Sequence, residues 1–172
     1  MMRKITEISA LEALYGQPGA PAIRKVADRL TPLYRAWIMA AKFCVLSTVG
    51  PDGTDGSPRG DEGPVVVELD EHTLAIPDWR GNNRMDSLRN IVEDGRVSLM
   101  FMVRGSNSVV RVNGMARLSV DPALLGQFEQ AGHNPKTVIV IKVSEVYSQC
   151  ARAFMRAGAW AGVDDSEGLP TM

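Results

Sequence analysis

The pattern of hydrophobic and polar positions changes from helical to strand-like near residue 42. Before that point, apolar side chains recur every three or four positions, as they do on one face of a helix. The spacing predicts helices over 6–15, 21–30 and 31–41. The last begins with Thr31-Pro32, since Thr is a frequent N-cap and Pro is tolerated at the first helical position. We expect residues 1–41 to form a helical arm that covers one end of a sheet.

Beyond residue 42, short segments rich in Val, Ile, Leu and Phe alternate with Gly, Pro, Asn and Asp, as in a series of β-hairpins. They predict strands over 43–49, 55–61, 65–69, 73–77, 96–103, 109–119 and 137–146, with helices over 84–94, 122–130 and 151–157. A doubly wound sheet would need a helix between nearly every pair of strands, which these hairpins exclude. The pattern favours one domain, an antiparallel β-barrel with α additions over 42–160 and a loose tail over 161–172.

Composition narrows the range of partners. The 172 residues include 19 basic and 20 acidic ones, so the formal net charge is −1 and offers no basic excess for nucleic acid or an anionic membrane. No apolar run is long enough to cross a membrane, and the N-terminal segment is too polar for a signal peptide. Cys44 and Cys150 lack the spacing of a metal site or redox motif, so we expect reduced thiols in a cytosolic, hence cytoplasmic, protein.

Side chains for protein-only catalysis are sparse in this sequence. The two histidines are His72, in a hairpin turn, and His133, in a Gly-His-Asn-Pro loop, and neither lies near a Ser, Cys or carboxylate arrangement that indicates a triad. The sequence also has no His, Cys and carboxylate set with metal-ligand spacing, no Walker loop and no GxGxxG motif. We therefore name no catalytic residue and expect no metal site.

The most unusual polar pattern lies between residues 73 and 101, where a strand, a polar loop, a helix and a second strand follow one another. The loop places Arg, Asn and Gly just before a helix start, where free backbone N–H groups and the helix dipole attract phosphate. Arg84 and Ser87, one helical turn apart, would add a charge and a hydroxyl donor. An ordinary capped helix, with Asn83 as N-cap and solvated arginines, explains the same residues.

Arginine and tryptophan at strand and loop junctions supply the other candidates. Several guanidinium groups that converge on a helix N-terminus would hold a phosphorylated cofactor. A flat aromatic cofactor would also need an apolar wall and a few donors near its polar edge. The candidates for these two roles are Arg59, Gly60, Trp79, Arg80, Arg84, Arg111, Arg156 and Trp160. A solvent-facing strand position for Arg111 and a salt-bridged terminus for Arg156 remain alternatives.

Four motifs together resemble one branch of the pyridoxamine 5′-phosphate oxidase-like, FMN-binding split-barrel flavoproteins. They are SPRGD at 57–61, IPDWRGNNRMDSLRNI at 76–91, VRVNG at 110–114 and the ending at 150–160. The resemblance covers about residues 40–160. It implies a six-stranded antiparallel split barrel and a homodimer with FMN at the subunit interface, acting on a small molecule.

The resemblance also implies roles for the candidate residues. Basic residues at the end of one strand and at the start of the following loop and helix hold the FMN phosphate in such folds. Here those positions are Arg59 and Arg84, with Ser87, Asn83 and Arg80 beside them.

The remaining candidates lie on other parts of the chain. By the same resemblance, Arg111 reaches the cofactor from an interface strand. It also implies that Arg156 and Trp160 contact the ring or the ribityl side of the cofactor. In one arrangement, these two residues come from the partner chain.

Two departures separate this chain from the vitamin-oxidising members that it resembles. It lacks their C-terminal Arg-x-His, and Gly60-Asp61-Glu62 follows Arg59, where acidic groups would repel a phosphorylated substrate. The sequence therefore predicts an FMN-dependent oxidoreductase of unknown substrate rather than a pyridoxine phosphate oxidase. The alternatives are a flavin carrier or sensor without turnover, or a split-barrel protein that uses deazaflavin or haem.

Overall fold

The computed structural model of the chain describes residues 2, 4–130 and 132–171. The strands are β1 (Phe43–Gly50), β2 (Gly53–Gly60), β3 (Val67–Asp70), β4 (Thr73–Asp78), β5 (Arg96–Met102), β6 (Val109–Ser119) and β7 (Thr137–Gln149). The helices are α1 (Ile8–Tyr15), α2 (Ala20–Arg24), α3 (Pro32–Ala40), α4 (Asp86–Glu93), α5 (Pro122–Leu125) and α6 (Arg152–Ala157), with a 3-10 turn at Gly126–Phe128. Within these described ranges, no helix has the length and apolar character that crossing a bilayer requires.

All the strands belong to one sheet, in the order β2-β1-β5-β6-β7-β4-β3, and every neighbouring pair is antiparallel. The hairpins expected from the turn residues are therefore confirmed. The six-stranded barrel is wrong in its strand number, because the sheet has seven strands. One edge strand is the four-residue β3, whose pairing with β4 is irregular between Glu68 and Asp70. The sheet remains open between β2 and β3, which stand at opposite ends of the strand order.

The hydrophobic core lies on the inner face of the curled sheet. Alternate residues of β1 and β5, among them Cys44, Leu46 and Leu99, are fully buried, and α3 adds Ile38. Burying a large aliphatic side chain stabilises the fold by about 1.5–3 kcal/mol. The first turn of α3 is capped as predicted, because Thr31 Oγ1 accepts a hydrogen bond from a backbone N–H at 3.3 Å. The core side chains therefore pack the central strands together, and polar groups lie at the open edge of the sheet.

The helical arm is less regular than its apolar stripe predicts. The helix expected over 21–30 ends at Arg24, because the chain then pairs with the sheet. Ala27 and Val146 exchange two backbone hydrogen bonds of 2.9 and 2.7 Å. Leu30 is buried nearby. Its side chain therefore lies in the core, as the predicted helix required, although the segment is extended. Backbone pairing with β7 thus replaces the final turns of the predicted helix.

Candidate functional site

An open cleft of about 480 Å³ lies where the edge strand β2, the loop after β4 and the start of α4 meet. Its walls are formed by residues 55–59, 78–79, 81–88 and 136–137. A volume of this size lies within the usual range for a small-molecule site. The cleft brings together three parts of the chain that are distant in the sequence, so its shape depends on the fold of the sheet.

The polar wall on β2 follows from the alternation of side chains along a strand. Asp55 and Arg59 lie opposite Thr48 and Cys44 of β1, so they face the same side as the buried residues of that strand. Pro58 lies between them and lacks a backbone N–H, which is compatible with an edge strand. Charged side chains therefore stand at the rim of the core, where the sheet is open.

Arg59 is the most enclosed cation of the cleft. Its Nη1 donates to Asp78 Oδ1 at 2.7 Å, and the two side chains are only 17% and 18% exposed. This ion pair joins β2 to β4 across the opening of the sheet. The Nε of Arg59 is buried and has no hydrogen-bond partner among the described residues. A buried donor without a partner carries a desolvation cost, so a ligand acceptor at this point would be favoured.

The start of α4 differs from the prediction. The helix begins at Asp86, and its N-cap is Met85, which makes no side-chain capping bond. Asn83 is therefore not the N-cap, and it lies in the preceding loop with a φ of +61°. Arg84 also precedes the helix, because its N–H donates to Asn82 Oδ1 at 3.0 Å in a local turn that competes with helical bonding. Its Nε donates to Asp86 Oδ2 at 2.6 Å, and this bond raises the pKa of the guanidinium.

The first turn of α4 provides hydrogen-bond donors at the cleft. The backbone N–H groups of residues 86–88 precede the first bond of the helix, from Arg89 N to Met85 O at 2.8 Å, and so they have no partner inside it. Ser87 is buried, and its hydroxyl donates to the Asp55 carboxylate. A carboxylate of the chain itself therefore lies next to the positive end of the helix.

The charged side chains of the cleft balance in number. Three cations and three carboxylates line it, namely Arg59, Arg84, Lys136, Asp55, Asp78 and Asp86. The lining side chains therefore carry no formal net charge. The lining residues include no His, Cys or Tyr, three side chains that serve as acid–base or nucleophilic catalysts in many enzymes. Carboxylates and Lys136, which can also serve in this way, are present. Among the described residues, no group of three or more His, Cys, Asp or Glu is arranged to hold a metal ion.

The sequence profile of the pyridoxamine 5′-phosphate oxidase family matches residues 30–150, which is more than half of the chain. The chain belongs to the pyridoxamine 5′-phosphate oxidase family. The matched region contains every strand and every segment that lines the cleft, and it confirms the family that the sequence motifs indicated. No protein with a curated description matches the chain.

Solved structures of low sequence identity share the fold of this family member. A Group A Streptococcus HupZ variant aligns with a TM-score of 0.58 at 18% identity, over 70% of this chain and 99% of its own. A candidate pyridoxamine 5′-phosphate oxidase from Lactobacillus delbrueckii gives 0.53 at 20% identity, over 70% and 95%. An FMN-binding protein from Syntrophomonas wolfei gives 0.50 at 14% identity, over 83% and 92%. At these identities the likeness establishes the antiparallel split-barrel type of fold alone.

The structure brings together most of the residues expected to form the site in this family member. Those that line the cleft are Arg59, Trp79, Asn83, Arg84 and Ser87. Gly60 lines a smaller adjoining pocket of about 160 Å³, which shares Arg59 and Trp79 with the cleft. Arg80 is exposed and lines neither. The convergence of separate segments agrees with a shared role, and the binding role of each residue stays a prediction.

Arg111 lies away from the cleft, on the outer face of β6. Its neighbour Val112 is buried in the core, so Arg111 faces the opposite side of the sheet. Its guanidinium carbon lies 5.5 Å from the centre of the Tyr147 ring, and its Nη2 donates to Ser98 Oγ at 3.4 Å. Arg111 is not among the residues that line the cleft.

The C-terminal candidates also lie elsewhere in one chain. Trp160 Nε1 donates to the carbonyl O of Ser106, in the β5–β6 loop, at 2.8 Å. Its ring stacks on Phe154 with 6.0 Å between the ring centres. Arg156 is exposed on α6, and neither Arg156 nor Trp160 lines the cleft. Any contact of these residues with a ligand in the cleft would require a second copy of the chain.

Sequence reasoning missed four charged residues of the cleft, and one of them, Asp86, lies between the predicted Arg84 and Ser87. The sequence could have indicated Asp55, because it stands four positions before Arg59 and so lies on the same face of the strand. Asp78 and Lys136 give no such signal. Asp78 meets Arg59 only through folding, and Lys136 contacts Asn83 across 53 positions of sequence.

Cys44 and Cys150 differ in burial. Burial raises the pKa of the Cys44 thiol to about 12, and the nearby Arg59 charge offsets only part of this effect. Cys150 is exposed. We expect an alkylating reagent at about pH 8 to modify Cys150 alone in the native protein, because the thiolate is the reactive form. Mass spectrometry should find one modified thiol before unfolding and two after it, and rapid modification of both in the native protein would contradict the prediction.

Proposed function

We propose that this member of the family binds FMN in the cleft and acts, as a homodimer, as an FMN-dependent oxidoreductase on a small molecule. The observation that carries the proposal is the enclosed guanidinium of Arg59. It has an unpaired buried Nε and lines the same cleft as the free N–H groups at the start of α4. Guanidinium and a helix N-terminus are the two groups that proteins most often use for phosphate.

The residues present fit both ends of such a ligand. Arg59, the first turn of α4 and the Ser87 hydroxyl would hold the phosphate. The adjoining pocket continues past Trp79 and includes Val65, Ile76 and Pro77, so an apolar wall begins beside the phosphate donors. A flat aromatic ring needs such a wall, with a few donors at its polar edge.

The carboxylates of the cleft set the conditions for binding. Asp78 holds Arg59, and Asp55 accepts from Ser87, so an incoming phosphate would compete with both carboxylates for the same donors. Exchange of one anion for another would keep Arg59 Nη1 and the Ser87 hydroxyl bonded, and the unpaired Nε of Arg59 would gain an acceptor. The binding free energy is then a difference between two sets of charge-assisted hydrogen bonds.

Bound FMN would supply the electron transfer, and the chain would bind and orient it. The charged side chains and backbone donors that line the cleft would bind and orient the ligand. The fold shared with the FMN-binding protein from Syntrophomonas wolfei supports the choice of ligand.

A second copy of the chain accounts for the candidates that lie outside the cleft. Arg111 is half-buried on the outer face of the sheet, and Arg156 and Trp160 follow β7 at the C-terminal end. In a homodimer these side chains would approach the cofactor of the neighbouring chain. The dimer is therefore part of the proposed function.

Titration with FMN tests the proposal. We expect quenching of flavin fluorescence that saturates at one FMN per chain, weaker binding of riboflavin, which lacks the phosphate, and a dimer in sedimentation. Anaerobic mixing with NADH or NADPH should bleach the bound flavin. Binding without reduction by any donor would favour a carrier or sensor. Failure to bind FMN would refute the proposal, and a Soret band or a bound deazaflavin after purification would identify the alternative cofactor.

A further inference from the structure

Lys136 is a third cation of the cleft and comes from a separate part of the fold. It directly precedes β7, and its N–H donates to the carbonyl O of Asp78 at 3.3 Å. The next residue, Thr137, pairs with Asp78 in the β4–β7 ladder. The backbone of Lys136 is therefore held by the sheet, while its exposed side chain lines the cleft.

The ammonium of Lys136 differs from the two guanidiniums in its partner. Arg59 and Arg84 each pair with an aspartate, at 2.7 and 2.6 Å. Lys136 Nζ instead donates to the neutral amide oxygen of Asn83 at 3.2 Å. No carboxylate in the described part of the chain forms an ion pair with it. Lys136 is thus the cation of this cleft that carries an uncompensated charge.

This difference determines which cation of the cleft an anion can bind with the smallest loss of existing interactions. An anion that binds either guanidinium must compete with a carboxylate already present. An anion that binds Lys136 displaces only a neutral amide oxygen, and no carboxylate competes with it for the ammonium. The Lys side chain is long and flexible, so its ammonium can follow a ligand without moving the backbone.

The loop residue Asn83 places the acceptor for this ammonium. Its φ of +61° lies in the left-handed region, which Asn tolerates better than most residues. We propose that Lys136 is an anion-binding residue of the cleft that contacts the ligand phosphate, and that Asn83 is its positioning residue. This inference rests on the proposed function, because it takes the ligand to be a phosphorylated flavin.

The test compares Lys136→Met with Lys136→Arg, and uses Lys142→Met as the matched control. Lys142 lies on β7, the strand that Lys136 directly precedes, and it is exposed and does not line the cleft. Isothermal titration should show that Lys136→Met weakens FMN about tenfold and leaves riboflavin unchanged, whereas Lys136→Arg retains most of the affinity. The Kd of the Met variant should also rise less steeply with added salt, because one charge has been removed.

Riboflavin and inorganic phosphate separate the two proposals. If the wild-type protein binds FMN and Lys136→Met binds it equally well, the inference about Lys136 is wrong and the proposed function stands. The inference is also wrong if the Met variant loses riboflavin and FMN to the same extent, since that loss is structural.

If the wild-type protein binds no flavin, the proposed function fails and inorganic phosphate decides the role of Lys136. Phosphate should then shift the amide NMR signals of residues 86–88 in the wild-type protein and shift them less in Lys136→Met. Equal shifts in both proteins, or none, would refute the inference.

Discussion

Replacing Arg59 with Met should raise the Kd for FMN about a hundredfold or more. The guanidinium is largely enclosed, and its buried Nε has no partner among the described residues. The substitution removes both a charge and a set of fixed donors from the phosphate end of the cleft. Met retains much of the length and apolar stem of Arg, so the packing against β1 should change little. Quenching of flavin fluorescence measures the Kd directly.

The variant Asp78→Asn tests whether the loss of FMN binding in Arg59→Met is only a consequence of the broken ion pair. That variant breaks the ion pair of Arg59 and keeps the guanidinium, so FMN should bind at least as tightly as to the wild-type protein. If Asp78→Asn loses FMN as severely as Arg59→Met, Arg59 serves only to join β2 and β4. Arg117→Ala, at an exposed position of β6, should leave the Kd unchanged.

Gly114→Ala should destabilise the fold by about 3 kcal/mol. A Cβ at this position would lie 2.1 Å from the carbonyl O of Lys142 on the neighbouring strand β7. The clash is with backbone, so relief requires separation of β6 and β7 near the register shift between Asn113 and Gly114. A domain with a total stability of about 5–15 kcal/mol loses a large fraction of it by such a change. Urea unfolding followed by circular dichroism measures the difference.

Gly56→Ala is the matched control for stability. Gly56 lies in the edge strand β2, and a Cβ there meets no atom within 4 Å. The same substitution in an open position should change the free energy of unfolding by less than about 1 kcal/mol. Equal stabilities of the two variants would show that β6 and β7 can separate freely at Gly114, contrary to the prediction.

The local elements of this family member could be predicted because each depends on residues close together in the sequence. Alternating apolar positions indicated the hairpins, and Asp121 caps α5 by accepting from Ala123 N at 2.8 Å, as the Asp-Pro pair indicated. The polar residues of the loop before α4 predicted a binding site there, and that loop lines the cleft. The exact start of that helix was not, because a side-chain bond to Asn82 competed with the helical pattern.

By itself, the sequence determined the antiparallel hairpins, the family and most of the segments that line the cleft. Tertiary structure alone decided the order of the strands in the sheet, the end of α2, the ion pairs within the cleft and the remote placement of Arg111 and Trp160. The contacts that assemble the cleft join residues 19, 32 and 53 positions apart. Local patterns encode backbone conformation, whereas such pairings arise only when the curled sheet brings distant side chains to one open edge.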